Sequence, residues 1–175
     1  MQIGKAAVGV ALVGGVLFGA APAFGVSAPV GTPLKVFVLP GNAKVPGAVV
    51  LTGAVGDYGK AVNVNSAGKP DKKGPDGKFL LKKGTITLDL SQLKAAAATA
   101  KSNDFNTTTC SASVTFSAPA AVLSGTKAYA QITGSLTLTE TGAFVLPFKG
   151  GKCNASAAPS AQWEAVTGSG TVTFG

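Results

Sequence analysis

The amino-acid sequence predicts an all-β protein: an antiparallel barrel of about eight strands with at most one short helix. Several short segments alternate apolar residues with Thr or Ser, as half-buried antiparallel strands do. Turn sequences rich in Gly, Pro, Asn and Asp separate these segments at short intervals. Several of the 24 glycines fall inside strand-like segments, where glycine often marks a bulge or a barrel corner. This last observation favours a barrel over a sandwich.

Residues 1–28 have the organisation of an N-terminal signal peptide. Lys5 supplies a positive charge, the chain is then apolar or Gly up to Ala21, and two small-residue cleavage patterns end at residues 23 and 28. The alternative is a permanent transmembrane helix, but the apolar run is short and rich in glycine. The sequence therefore predicts a secreted, extracellular protein with no membrane span after processing.

The chain after the signal peptide, roughly 150 residues, has the length of one domain. We divide it into residues 29–44, an N-terminal arm with a first strand, and residues 45–175, the β-barrel domain. Removal of the signal peptide leaves enough chain to bury a hydrophobic core.

The strands follow from the alternation, in chain order. Residues 34–39 and 49–55 are strand-like, and Val62 with Val64 marks a short third strand. Residues 69–78 contain four lysines and three turn dipeptides, so they predict an exposed hairpin loop. Further alternation predicts strands over residues 85–90, 112–116, 132–138, 144–148 and 172–174.

Residues 91–101 are the one helical candidate. Four consecutive alanines at 95–98 favour helix, and Ser91 is suited to cap the N-terminus of that helix.

The two cysteines, Cys110 and Cys153, both lie in the part of the chain predicted to be exported. An even pair in an oxidising compartment predicts one disulfide. The alternative is a reactive thiol, which suits a paired cysteine in that compartment poorly.

The composition excludes several classes of site. All 15 basic residues are Lys, and there is no His. The chain therefore lacks the planar fork of Arg for phosphates and carboxylates, and it lacks the commonest metal ligand. We expect no metal, no cofactor and no nucleic-acid partner. The net charge of +8 fits an anionic cell-surface polymer as a partner, or simply a soluble lysine-rich surface.

Three of the seven acidic residues fall on the apolar side of the predicted strands, at the strand ends. They are Asp57, Glu140 and Glu164. If these strands run unbroken, the three carboxyl groups gather at one barrel mouth, where burial would raise a carboxyl pKa and suit it to general-acid chemistry. The alternatives are a glycine bulge that reverses the alternation, or acids on a solvated rim.

Two aromatic residues, Tyr129 and Trp163, are candidates to line the same mouth. Aromatic side chains at a barrel end either contact a ligand or plug the barrel, and the sequence leaves both roles open.

The segment from Gly125 to Glu140 resembles the central hairpin of the allene oxide cyclase and dirigent barrels. Gly125, Tyr129 and Gly134 match the family pattern, whereas Lys127 replaces its second glycine. Two further segments, residues 49–59 and 168–174, resemble small secreted actinobacterial proteins of this barrel type. The resemblance spans residues 45–175.

This resemblance implies an eight-stranded barrel with an apolar cavity, often in a homo-oligomer. In the cyclase branch such a cavity shapes a reactive lipid epoxide, and in the dirigent branch it steers radical coupling. The catalytic Arg of the dirigent branch has no counterpart in a chain without Arg.

Three functions remain open from the sequence. The first is a non-enzymatic secreted barrel that binds a small apolar ligand or acts at the cell surface. The second is a cavity isomerase or cyclase that works without a metal and uses Asp57, Glu140 or Glu164 as acid–base groups. The third is structural adhesion through the lysine-rich surface. An apolar cavity with a buried carboxylate would favour the enzyme, and a cavity filled by Phe116, Phe144 and Phe148 would favour a structural role.

Overall fold

The structure is a computed structural model that describes residues 31–41, 45–102 and 104–175. The predicted signal peptide lies outside the described residues, and so does the predicted start of the mature chain.

Eight strands close an antiparallel barrel in the order β1-β10-β7-β6-β5-β4-β3-β2, which confirms the predicted fold class. One short α-helix connects β5 to β6, and a small β8–β9 hairpin lies in the connection from β7 to β10. The elements are β1 Thr32–Leu39, β2 Gly47–Gly53, β3 Asp57–Val64, β4 Asp76–Leu81, β5 Thr85–Asp89, α1 Ser91–Thr99, β6 Ser111–Gly125, a 3-10 turn Lys127–Tyr129, β7 Ile132–Val145, β8 Phe148–Lys149, β9 Lys152–Cys153 and β10 Ala161–Phe174.

The barrel has two unlike ends. At the closed end, short connections join β2 to β3 and β4 to β5, and the 3-10 turn joins β6 to β7. At the open end lie the longer connections, the helix and the β8–β9 hairpin. Strands β6, β7 and β10, with 15, 14 and 14 residues, extend past the shorter strands at this open end.

The core consists of the inward-facing aliphatic residues of the barrel strands, as the alternation predicts. On β7 and β10 it includes Ile132, Leu136, Leu138 and Val172, all at most 3% exposed. Gly168 of β10 makes room for this packing, because a Cβ atom at that position would lie only 2.5 Å from Cδ2 of Leu138. Glycine on the inner side of a strand therefore allows a larger neighbour to fill the barrel.

Several strand boundaries differ from the sequence prediction, and β6, β7 and β10 are all longer than predicted. β2 ends at Gly53, whose φ of +85° turns the chain, so the predicted strand over 49–55 does not run on to Asp57. β4 begins at Asp76, inside the segment predicted as a loop. β7 runs without a break to Val145, so no separate strand exists over 144–148.

The barrel also begins earlier than predicted. β1 pairs with β2 on one side and with β10 on the other, so residues before 45 belong to the barrel itself. Residue 45 is therefore not a domain boundary.

The helix begins as predicted, but Ser91 does not cap it. Ser91 is the first helical residue, and its backbone N–H donates to Asp89 Oδ1 at 2.8 Å. The carboxylate of Asp89, and not the hydroxyl of Ser91, thus accepts a backbone hydrogen bond at the start of the helix.

Cys110 and Cys153 form a disulfide, with their Cα atoms 5.4 Å apart. It ties the start of β6 to the β8–β9 hairpin at the open end. Within the described ranges, no helix is long and apolar enough to cross a membrane.

Candidate functional site at the open end of the barrel

A cavity of about 640 Å³ opens at the end of the barrel that carries the helix. Its wall is formed mainly by apolar side chains of the barrel strands, among them Val38, Ala61, Phe79, Leu88, Leu138 and Val166. Its rim carries Glu140 and Glu164 together with Asp71, Lys72 and Lys94. The site is thus a largely apolar hollow with charged groups at its entrance.

The helix forms one side of this cavity. Leu93 and Ala97, one helical turn apart, both line it, and Leu93 is buried in the core. The ammonium group of Lys94 donates a hydrogen bond to the carbonyl of Gly74, which ties the helix to the β3–β4 connection. Sequence analysis missed these residues, although the four-residue spacing of Leu93 and Ala97 is the usual sign of a packed helix face.

Glu140 and Glu164 lie side by side at the rim. The strand register pairs Glu140 of β7 with Val166 of β10, and pairs Glu164 with Gly142. The two acids are therefore diagonal neighbours on the inner face of adjacent strands, within reach of each other. Glu140 is half-buried, whereas Glu164 is exposed just beyond the last β1–β10 pair.

The environment of Glu140 favours its protonated form. Burial against the apolar wall raises its pKa, and the hydrogen bond with Glu164 and the negative charge of Glu164 raise it further, to about 8. At neutral pH the Glu140 carboxyl group therefore keeps its proton and can donate a hydrogen bond, and the oxygen atoms of both carboxyl groups can accept hydrogen bonds.

Asp57 lies at the opposite end of the barrel, so the predicted cluster of three acids is wrong for this residue. It faces inward on β3 and is 7% exposed. Its Oδ2 accepts hydrogen bonds from the Tyr129 hydroxyl at 2.7 Å and from the Lys83 backbone N–H at 2.9 Å, and its Oδ1 accepts one from the Tyr58 N–H at 2.8 Å. β2 runs towards this end, so Asp57, which follows it, lies here, whereas Glu140 and Glu164 lie near the end of β7 and the start of β10 at the other end.

Asp57 is held in its ionised form. Burial by itself would raise its pKa, but the hydrogen bonds from Tyr129, Lys83 and Tyr58 outweigh burial and lower the pKa below its usual value. A carboxylate fixed in this way accepts hydrogen bonds and closes the barrel end, and it is not a proton donor for the cavity.

Neither candidate aromatic lines the cavity. Tyr129 is buried at the closed end against Asp57, and burial together with that carboxylate raises the pKa of its hydroxyl. Trp163 is 56% exposed and points away from the cavity, because it alternates with the inward-facing Glu164 on β10. The three phenylalanines considered as a plug, Phe116, Phe144 and Phe148, do not line the cavity either.

Among the residues that the structure describes, no group of three or more Cys, Asp or Glu side chains is arranged to hold a metal ion. Comparison with known proteins finds no matching family model, and no curated protein or solved structure shows significant similarity to the chain.

Proposed function

We propose that the protein is a secreted, non-enzymatic barrel that binds a small, largely apolar ligand in the cavity at its open end. The observation that carries this proposal is the cavity itself, about 640 Å³ in volume with a mainly apolar wall. Cavities of roughly 300 to 1,000 Å³ with a few polar groups are typical of sites for small organic ligands.

The carboxyl pair gives the ligand its orientation in this proposal. The apolar body of the ligand packs against the strand residues and Leu93, and one polar group reaches the rim. There, Glu140 and Glu164 together offer one hydrogen-bond donor and several acceptors. A ligand with a hydroxyl or amine group at one end fits this arrangement.

Native mass spectrometry of the protein from its producing organism is the first test, because a co-purified ligand appears directly as added mass. In parallel, an uncharged dye that fluoresces in apolar surroundings is titrated into the protein. Val166→Phe narrows the cavity, and we expect it to weaken dye binding at least tenfold. Thr167→Phe is the matched control, because the next residue along β10 faces outward.

Equal dye binding by the two variants would contradict the proposal. So would the absence of any dye binding by the wild-type protein, provided that its barrel is shown to be folded by circular dichroism.

A second candidate function, an isomerase or cyclase, is favoured by one specific observation. Glu140 is a carboxyl group that stays protonated at neutral pH beside a second carboxyl group, which is the arrangement needed for proton transfer to and from one substrate. Glu140 would donate the proton and Glu164 would accept one. Glu140→Gln should then abolish turnover yet keep ligand affinity within about threefold, whereas a pure binding role predicts no turnover in the wild-type protein.

Secretion belongs to the same proposal. The segment up to residue 28 has the signal-peptide pattern, and a disulfide such as Cys110–Cys153 persists in oxidising compartments. Sequencing the N-terminus of protein collected from the culture medium tests it: a start between residues 24 and 29 is expected, and an intact Met1 on most molecules would contradict it. A relationship to the allene oxide cyclase and dirigent barrels, an anionic cell-surface polymer as partner and assembly into a homo-oligomer also stay proposals.

A further inference from the structure

The outer face of β1 to β4 carries exposed apolar side chains in neighbouring positions. We call it the basic–apolar face and define it as Lys35, Phe37, Leu39, Val50, Tyr58, Lys60, Leu80 and Lys82. Its five apolar members are 40% to 59% exposed. The register places Phe37, Val50 and Tyr58 in one row across three strands, and Lys60 pairs with Leu80 in the next row.

The charge on this face has one sign. Lys35, Lys60 and Lys82 are exposed, and the ammonium group of Lys82 lies 5.5 Å from the centre of the Tyr58 ring. The outward positions of β1, β2 and β3 hold no acidic residue. On β4 the one acidic residue, Asp76, begins the strand and is separated from Leu80 by Lys78.

The outer face on the other side of the barrel is different in kind. There β6, β7 and β10 present hydroxyl groups that hydrogen-bond to one another across strands, such as Ser117 with Thr139 at 2.8 Å and Thr133 with Thr173 at 2.7 Å. Strands β6, β7 and β10 also carry exposed apolar side chains, such as Leu123, Val145 and Trp163, but none of these three strands contains a lysine. Among the described barrel strands, exposed apolar residues and lysines therefore occur together on the side formed by β1 to β4. A contiguous exposed apolar patch on a folded domain usually marks an interaction site.

We infer that the basic–apolar face docks the protein on the surface of an anionic lipid bilayer. Lipid headgroups with negative charge would pair with the three lysines, and the five apolar side chains would enter the boundary between headgroups and acyl chains. This role is independent of the cavity, which opens at the end of the barrel and stays accessible.

The same chemistry disfavours two other occupants. A second copy of the chain in a symmetric dimer would bring the three lysines of one face against those of the other, which like-charge repulsion opposes. A hydrated polyanion would pair with the lysines but would leave Phe37 and Leu39 exposed to water. A lipid surface satisfies both the charges and the apolar side chains.

Flotation with vesicles tests the inference. Vesicles of equal parts phosphatidylcholine and phosphatidylglycerol are compared with phosphatidylcholine alone. All variants are produced in the same host, so the N-terminal segment is processed in the same way in each and makes the same contribution to vesicle binding. The wild-type protein should prefer the anionic vesicles. The triple variant Lys35→Gln, Lys60→Gln, Lys82→Gln should bind them on the order of tenfold to a hundredfold more weakly, and the double variant Phe37→Ser, Tyr58→Ser at least tenfold more weakly.

The controls remove the same chemistry elsewhere. Lys101→Gln, Lys149→Gln, Lys152→Gln removes three exposed charges away from the face, and Leu123→Ser removes an apolar side chain that is 52% exposed on β6. Both should bind like the wild-type protein. The inference is overturned if the wild-type protein does not prefer anionic vesicles, or if the controls lose as much binding as the face variants. It is also overturned if only the lysine variant loses binding, since the face would then pair with negative charges without inserting its apolar side chains, as it would with any hydrated polyanion.

Discussion

The closed and open ends of the barrel each hold an inward-facing carboxyl group, and the two groups have opposite properties. At the closed end, Asp57 is buried and ionised, with three hydrogen-bond donors around it. At the open end, Glu140 is only half-buried, yet burial and the adjacent Glu164 favour its protonated form. The more buried of the two acids is therefore the more easily ionised one.

This difference shows that partners, and not burial alone, decide the charge of a carboxyl group inside a barrel. Desolvation raises the pKa at both ends, but donated hydrogen bonds reverse its effect at Asp57, whereas a second carboxyl group adds to it at Glu140. The closed end consequently has the chemistry of a structural clamp, and the open end has the chemistry of a site that exchanges protons or binds a polar group.

The largest expected effect on stability concerns the Cys110–Cys153 disulfide at the open end. The double variant Cys110→Ala, Cys153→Ala releases a loop with a sequence separation of 43 residues, and the free energy of unfolding should fall by about 4 kcal/mol. Urea denaturation measures the change, and reduction of the wild-type protein should reproduce it. A loss below about 1 kcal/mol would mean that hydrogen bonds and packing alone hold the open end.

The next largest effect is expected for Asp57, which accepts three hydrogen bonds at the closed end. Asp57→Asn removes the charge that accepts three hydrogen bonds and should cost about 3 kcal/mol, measured by urea denaturation. The matched control is Asp104→Asn, since Asp104 accepts two hydrogen bonds from Ser113 but is exposed, and it should lower the free energy of unfolding far less than Asp57→Asn does. Equal losses for the two variants would refute the special role of burial around Asp57.

The two ends should also respond to opposite changes of pH. Glu140 binds its proton more tightly in the folded chain, so its contribution to stability is greatest below the unfolded pKa of 4.5 and is lost as pH rises towards 8. Asp57, with a lowered pKa, contributes above its unfolded pKa of 3.8 and loses that contribution as pH falls. The free energy of unfolding, measured from pH 3 to 9, should show both losses.

Glu140→Gln should remove the loss of stability between pH 4.5 and 8 and leave the loss in acid unchanged. Asp57→Asn should leave the loss between pH 4.5 and 8 unchanged and reduce the loss in acid, to which Asp89 and Asp104 also contribute because their pKa values are lowered as well. Carboxylate NMR gives the direct measurement, and a Glu140 pKa near its unfolded value of 4.5 would leave the carboxyl pair without its proposed chemistry.

The smallest effect is expected for the aromatic residue that the structure places outside the cavity. Trp163→Ala should change the free energy of unfolding by less than about 0.5 kcal/mol, because Trp163 lies exposed on the outer side of β10. A loss above 1 kcal/mol would indicate that the indole packs into the barrel mouth after all.

The sequence predicts the open end better than the closed end, and the reason is physical. Glu140 and Glu164 continue the alternation of strands that run without interruption, so counting residues along each strand is enough to place them on the inner face. Their closeness then follows from the pairing of β7 with β10.

At the closed end the same counting places Asp57 on the inner face but does not give its surroundings. The direction of β2 decides at which barrel end Asp57 lies, and the partner of Asp57, Tyr129, is 72 residues away. No local pattern connects the two. β4 escaped detection for a related reason, because its first residues, Asp76 and Gly77, also read as a turn dipeptide, and only pairing with β3 and β5 makes them extended.

The position of β10 has a consequence for how the chain reaches this fold. β10, the last strand, lies between β1 and β7, so the earliest and latest strands of the described chain must meet before the barrel can close. Contacts so distant along the chain slow folding, because the entropy of closing the loop is lost before the contacts form. A ribosome that has not yet released Ala161–Phe174 therefore holds an open sheet with two unpaired edges. Until β10 is added, that state exposes the edges of β1 and β7 to pairing with other chains, and closure of the barrel removes both edges.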